Sequence, residues 1–204
     1  MISPRDLQRL AAPVARHEMG HYVLARALSF RTGDVSIKIT GPSGHYGTAD
    51  IILTEAIKST EALRAYLKRR IIVLYAGGIA ETLPDHNSPL KKANIDEANE
   101  IFLNPERGAG QDFAKMRELL RVLRNITYLD TDPSDKDAVQ AELDTLNDAL
   151  FNRAVELVEQ FAETITGLGG HLADQVLEPG KEAKLEAAHL ESLPAVRQII
   201  PMTP

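Results

Sequence analysis

The sequence predicts a mostly α-helical protein with one small antiparallel β-hairpin. Two observations predict that class. Apolar residues recur at helical spacing before residue 31 and again after residue 59, and two-residue alternation is confined to the stretch between them. No segment repeats. With 204 residues, 44% of them apolar, the chain can bury a full core. One domain is expected over residues 1–204, with a core over about 1–130 and a C-terminal helical part over about 131–204.

Ser3 is placed to cap the first helix, with Pro4 at its first position. Pro13 is expected to bend or restart that helix, which should end near residues 31–33. From Val35 to Thr40 the chain alternates Val, Ser, Ile, Lys, Ile, Thr, as a strand buried on one face does. Gly41-Pro42-Ser43-Gly44 breaks it, and Tyr46 to Leu53 reads as the second strand of the hairpin.

Ser59 caps a long helix running towards Leu83, with Glu61 in its first turn and Leu63, Leu67, Ile71 and Leu74 as its apolar stripe. Gly77-Gly78 inside it costs about 1 kcal/mol per glycine relative to alanine, which predicts a very close neighbouring helix. Loops are expected at 84–89 and 104–110, and a helix from about Gln111 to Asn125. After a break at 130–135, residues 136–166 read as helical, and Gly167-Leu168-Gly169-Gly170 reads as an interruption. The charged run 178–186 reads as a solvated segment, and a short helix near 189–193 closes the fold.

Composition excludes several classes. Without cysteine there is no disulfide framework, any metal site must use nitrogen and oxygen ligands, and a reducing, cytoplasmic setting is expected. The net charge of -6, with both signs interspersed, argues against a nucleic-acid surface. No run approaches 18 apolar residues, so no membrane span is expected. Met1 to Asp6 lacks a basic segment leading into an apolar one, so no signal peptide is expected either.

The chemistry is concentrated in His17-Glu18-Met19-Gly20-His21, which reads H-E-x-x-H. Four residues make close to one helical turn, so both imidazoles project from one face, as needed to chelate a single metal ion. Glu18, about 100° round the helix, is placed to take protons from a metal-activated water. Val14, His17, His21, Leu24 and Leu28 share the apolar stripe, so the imidazoles should be buried and in need of a partner. A catalytic zinc site has a third protein ligand and an open position. Spacing leaves Glu81, Glu97, Glu100 and Asp112 in contention. Asp112 heads an apolar helix face formed by Met116, Leu119 and Leu123. His45 reads as an exposed turn histidine, and His86, His171 and His189 read as surface residues.

These motifs resemble the proteolytic domain of the FtsH-type AAA proteases, peptidase family M41. His17-Glu18-Met19-Gly20-His21 is similar to the family's H-E-A-G-H, departing at Met19. Gly47, in His45-Tyr46-Gly47-Thr48, resembles the glycine of its active-site strand. Ala76-Gly77-Gly78-Ile79-Ala80-Glu81 resembles its G-G-R-A-A-E, and Ala109-Gly110-Gln111-Asp112 resembles its A-S-N-D. The resemblance covers most of the chain in order. It implies an M41-like fold and a zinc-dependent metalloendopeptidase in which His17, His21 and Asp112 hold Zn²⁺ and Glu18 is the catalytic base. It further implies that Tyr46, Gly47 and Thr48 bind an extended peptide or unfolded protein by strand addition. Glu81 is expected behind the ligands, orienting a histidine. Nothing in the sequence resembles an ATPase module, so an ATP-independent activity is expected of this chain. A homo-oligomer or a separate partner protein is expected by analogy. The alternative is a catalytically silent zinc-binding interaction module on the same fold, for which Glu18 would have no use.

Overall fold

The computed structural model describes residues 3–41, 44–104 and 109–202. The class is as expected, mostly helical with a small antiparallel sheet. Helix α1 (Pro4–Ala27) is capped by Ser3, whose Oγ accepts from the Asp6 amide at 3.2 Å. It does not restart at Pro13, which lies inside one continuous helix. It ends several residues before the expected 31–33, because Ser29 takes a left-handed φ of 65° and turns the chain into the sheet. From His17 to Ala25 every residue of α1 is buried, since other elements surround it.

Strands β1 (Arg31–Gly41) and β2 (Gly44–Ile52) pair antiparallel, with Ile37 opposite Gly47. The expected breaks at 41–44 and 104–110 include residues 42–43 and 105–108, which lie outside the described residues. Helix α2 (Thr60–Glu81) begins at the Ser59 cap and is buried at every position from Ile71 to Ala80. It passes close against α1 at Gly20. A Cβ there would lie 2.5 Å from the Ala80 Cβ and 2.6 Å from the Ala76 carbonyl oxygen. The predicted close contact therefore exists, but small residues at 20, 76 and 80 make it. Gly77 faces the α1 imidazoles, and Gly78 faces the Phe102 ring of α3 (Ile95–Leu103).

Helix α4 (Gly110–Thr127) packs on α2, followed by α5 (Lys136–Gln160) and α6 (Ala162–Asp174). The break expected at 167–170 falls instead at Phe161, and the three glycines lie inside α6. Packing decides the position. A Cβ on Gly169 would stand 3.3 Å from the Arg16 amide nitrogen, so the glycine lets α6 lie close against α1. The segment read as solvated also differs. Residues 182–185 form β3 (Glu182–Leu185), which pairs antiparallel with β1 and gives the sheet order β2-β1-β3. Ala183 and Leu185 are buried, while Glu182 accepts from the Ser36 hydroxyl at 2.8 Å and Lys184 pairs with Asp34 at 2.6 Å. Short helices α7 (Ala187–Ser192) and α8 (Pro194–Arg197) follow. No helix among the described residues is long and apolar enough to cross a membrane.

Candidate metal centre

One turn of α1 and the first turn of α4 bring three donor atoms together. His17 Nε2 lies 3.2 Å from His21 Nε2. Asp112 Oδ2 lies 3.0 Å from His21 Nε2 and 3.6 Å from His17 Nε2. A four-coordinate transition metal with ligands at about 2.0–2.1 Å sets its donors roughly 3.3 Å apart. The three edges bracket that spacing.

The other ring nitrogens fix which atoms are donors. His21 Nδ1 lies 2.7 Å from the Val73 carbonyl oxygen, which can only accept, so Nδ1 carries the proton and Nε2 presents a lone pair. His17 Nδ1 lies 3.1 Å from Glu81 Oε2, which likewise keeps a proton on Nδ1 and leaves Nε2 a lone pair whenever the ring is neutral. Two imidazole lone pairs and a carboxylate oxygen thus converge on one point. That arrangement is repulsive unless a cation occupies it.

The electrostatics carry the same demand. Burial disfavours the charged form of His17, but hydrogen bonds with Asp112 and Glu81, reinforced by the Glu18 charge, outweigh it and raise its pKa to about 10. For Asp112, burial favours the neutral acid, yet its contacts with both histidines hold it well below the usual carboxylate range. Both shifts describe one interaction from its two ends. Three carboxylates, of Glu18, Glu81 and Asp112, surround two imidazoles, so a dication suits the site better than a proton does.

Glu18 is buried beside the cluster without belonging to the ligand triangle. Burial pushes its carboxyl above the usual range, the two histidines opposing that rise. A Cβ on Gly47 would stand 2.3 Å from Glu18 Oε1, so only glycine lets β2 pass this close to the carboxylate. Residues 45–49 of β2 line a cleft of about 780 Å³ together with His17, Glu18, His21, Glu81 and Asp112.

The structure therefore brings together His17, Glu18, His21, Asp112, Glu81 and the strand bearing Tyr46, Gly47 and Thr48. Glu97 and Glu100 lie on α3, outside this cluster and outside the cleft lining. His45 is exposed as expected, but it sits in β2 opposite Ile39 rather than in a turn, and it faces the cleft. Sequence reasoning missed Arg70 and Lys115, which also line the cleft, and the Val73 carbonyl. Helical spacing could have found Arg70, which shares a face of α2 with Gly77 seven residues on. A backbone acceptor such as Val73 leaves no sequence signal. The chain matches no protein-family model, and no curated protein matches it significantly in sequence.

Proposed function

We propose that this chain is a zinc-dependent metalloendopeptidase of the M41 type, acting on extended peptides or unfolded protein. The observation that carries the reading is the donor triangle of His17, His21 and Asp112 with the buried Glu18 carboxylate at its side. A purely structural metal site has no need of that acid. Zinc held there supplies Lewis acidity, polarising the scissile carbonyl and acidifying water.

The chain's own groups do the rest. Glu18 takes the proton of the attacking water on its carboxylate and returns it to the departing amide nitrogen. Its raised pKa brings it nearer neutrality, where accepting and then releasing a proton are both accessible. Strand β2 is an outer strand of the sheet, and its outer edge, unpaired among the described residues, supports pairing with a substrate strand along residues 45–48. Glu81 holds the His17 ring with Nε2 turned towards His21 Nε2 and Asp112, where it would bind the metal.

Purified protein is expected to carry about one equivalent of zinc and to degrade a casein-type unfolded substrate. Chelation should stop the degradation and added zinc restore it. Protein that retains no zinc, or whose cleavage ignores the chelator, refutes the proposal. A second expectation concerns Glu81→Ala, which should weaken zinc affinity about 10- to 100-fold by freeing the His17 ring. Competition against a chromogenic chelator measures this. An unchanged affinity would show that His17 is oriented without Glu81.

A further inference from the structure

Arg70 has no place in the chemistry described above. It lies on the same face of α2 as Gly77, about 10.5 Å away along the helix axis. It lines the same cleft as His17, Glu18 and Asp112. Its Nη1 is buried and makes no hydrogen bond, and no described carboxylate stands within ion-pair distance of its guanidinium.

The other cations nearby are engaged. Arg64 donates to the Ile126 carbonyl at 3.0 Å, and Arg69 donates to the Leu28 carbonyl at 3.1 Å and pairs with Glu55. Lys115 stands 3.7 Å from Asp112 Oδ1. Of the three arginines of α2, Arg70 alone faces the cleft without a hydrogen bond or ion pair among the described residues, the Asp112 charge acting on it only from beyond ion-pair distance. A half-buried guanidinium left unpaired is costly, and it offers a rigid fork suited to a carboxylate. The acids of the cleft do not bind it: the Asp112 charge favours the guanidinium only at a distance, Asp112 and Glu81 contact the imidazoles directly, and Glu18 is the proposed base.

Building on the peptidase reading, we propose that Arg70 is a specificity-determining residue that receives a substrate carboxylate close to the scissile bond. An extended peptide advances about 3.4 Å per residue, so an offset of about 10 Å, shortened by the reach of the arginine, falls within roughly two residues of the cleaved bond. The carboxylate is either an aspartate or glutamate side chain or the peptide's own C-terminus. The chemistry of recognition is the same for both.

The test uses one fluorogenic peptide family with Glu or Gln placed within two residues of the cleaved bond, each ending in a free carboxylate or an amide. With zinc-loaded wild type, kcat/KM is expected to favour the carboxylate-bearing peptide about 10- to 100-fold, the range of a charge-assisted hydrogen-bonded pair. Preference in the Glu/Gln arm assigns the side chain, and preference in the acid/amide arm assigns the C-terminus. Arg70→Gln should collapse the ratio towards one, and Arg70→Glu should turn it towards a lysine peptide. Zinc content and thermal melting check that both variants fold. Should neither fold, the wild-type ratio must still shrink as salt is raised from about 50 mM to about 500 mM. Equal cleavage of all peptides, or a preference surviving Arg70→Gln or high salt, overturns the role of Arg70 and leaves the peptidase reading intact. Failure to cleave any of them overturns both.

Discussion

Gly77→Ala is expected to abolish zinc binding while leaving the protein folded. A Cβ at this position would stand 2.4 Å from His21 Nε2 and 2.7 Å from His17 Nε2, against both nitrogens proposed to hold the metal. Neither ring can retreat freely, since His21 Nδ1 is held by the Val73 carbonyl and His17 Nδ1 by Glu81. Displacing both ligands should cost more than loosening one supporting partner, so zinc affinity should fall by more than about 100-fold. The fold should survive. An inserted methyl group typically costs about 1–3 kcal/mol of packing, and replacing a helical glycine by alanine returns about 1 kcal/mol. The net loss is small against a total stability of roughly 5–15 kcal/mol.

Gly78→Ala is the matching control. Its Cβ would meet the Phe102 ring at 2.6 Å, about 100° round α2 from the imidazole-facing position. It should lower the melting temperature and keep zinc. Zinc titration and circular dichroism on the two variants separate the outcomes. A Gly77→Ala protein that binds zinc like wild type would show that the rings do not occupy the positions described.

How much of this was legible in the sequence depended on how local each cause is. The side-by-side placement of His17 and His21 follows from helical pitch alone, and the Ser3 and Ser59 caps from one hydroxyl reaching a nearby amide. Asp112 could be placed at the head of α4 because Met116 and Leu123 bury the same face. That it meets His21 depends on how α4 packs against α2, which no local pattern carried. Strand β3 was illegible for the same reason. Its alternation of Glu182, Ala183, Lys184 and Leu185 is too short to outweigh a charged composition, and its partner strand lies some 145 residues earlier. The break at Phe161 and the unbroken α1 through Pro13 show tertiary packing overriding local propensity. Gly77-Gly78 signals close packing correctly, whereas the 167–170 run reads as an interruption although Gly169 is likewise a site of close approach. Helical spacing places Arg70 on the Gly77 face of α2, but nothing local shows that it lacks a hydrogen-bond partner there.

Glu18→Gln should abolish peptide cleavage and leave zinc in place. The amide has nearly the volume of the carboxyl, so it keeps the contact that Gly47 makes room for. The proposed metal ligands are untouched, because Glu18 lies outside the donor triangle. What disappears is the ability to accept a proton. Positioned acid–base catalysis is worth about 10²- to 10⁴-fold, and the rate should fall by that amount. The pH dependence carries the sign. Glu18 works ionised, and burial raises its pKa, so wild-type kcat/KM should drop as pH falls through that elevated value. In the glutamine variant the residual activity should lose this acidic limb. Zinc content by elemental analysis, with pH–rate profiles on one unfolded substrate, reads both effects. A variant that cuts at the wild-type rate, or keeps the acidic limb unchanged, would remove Glu18 from the proton path and leave the donor triangle without a catalytic base.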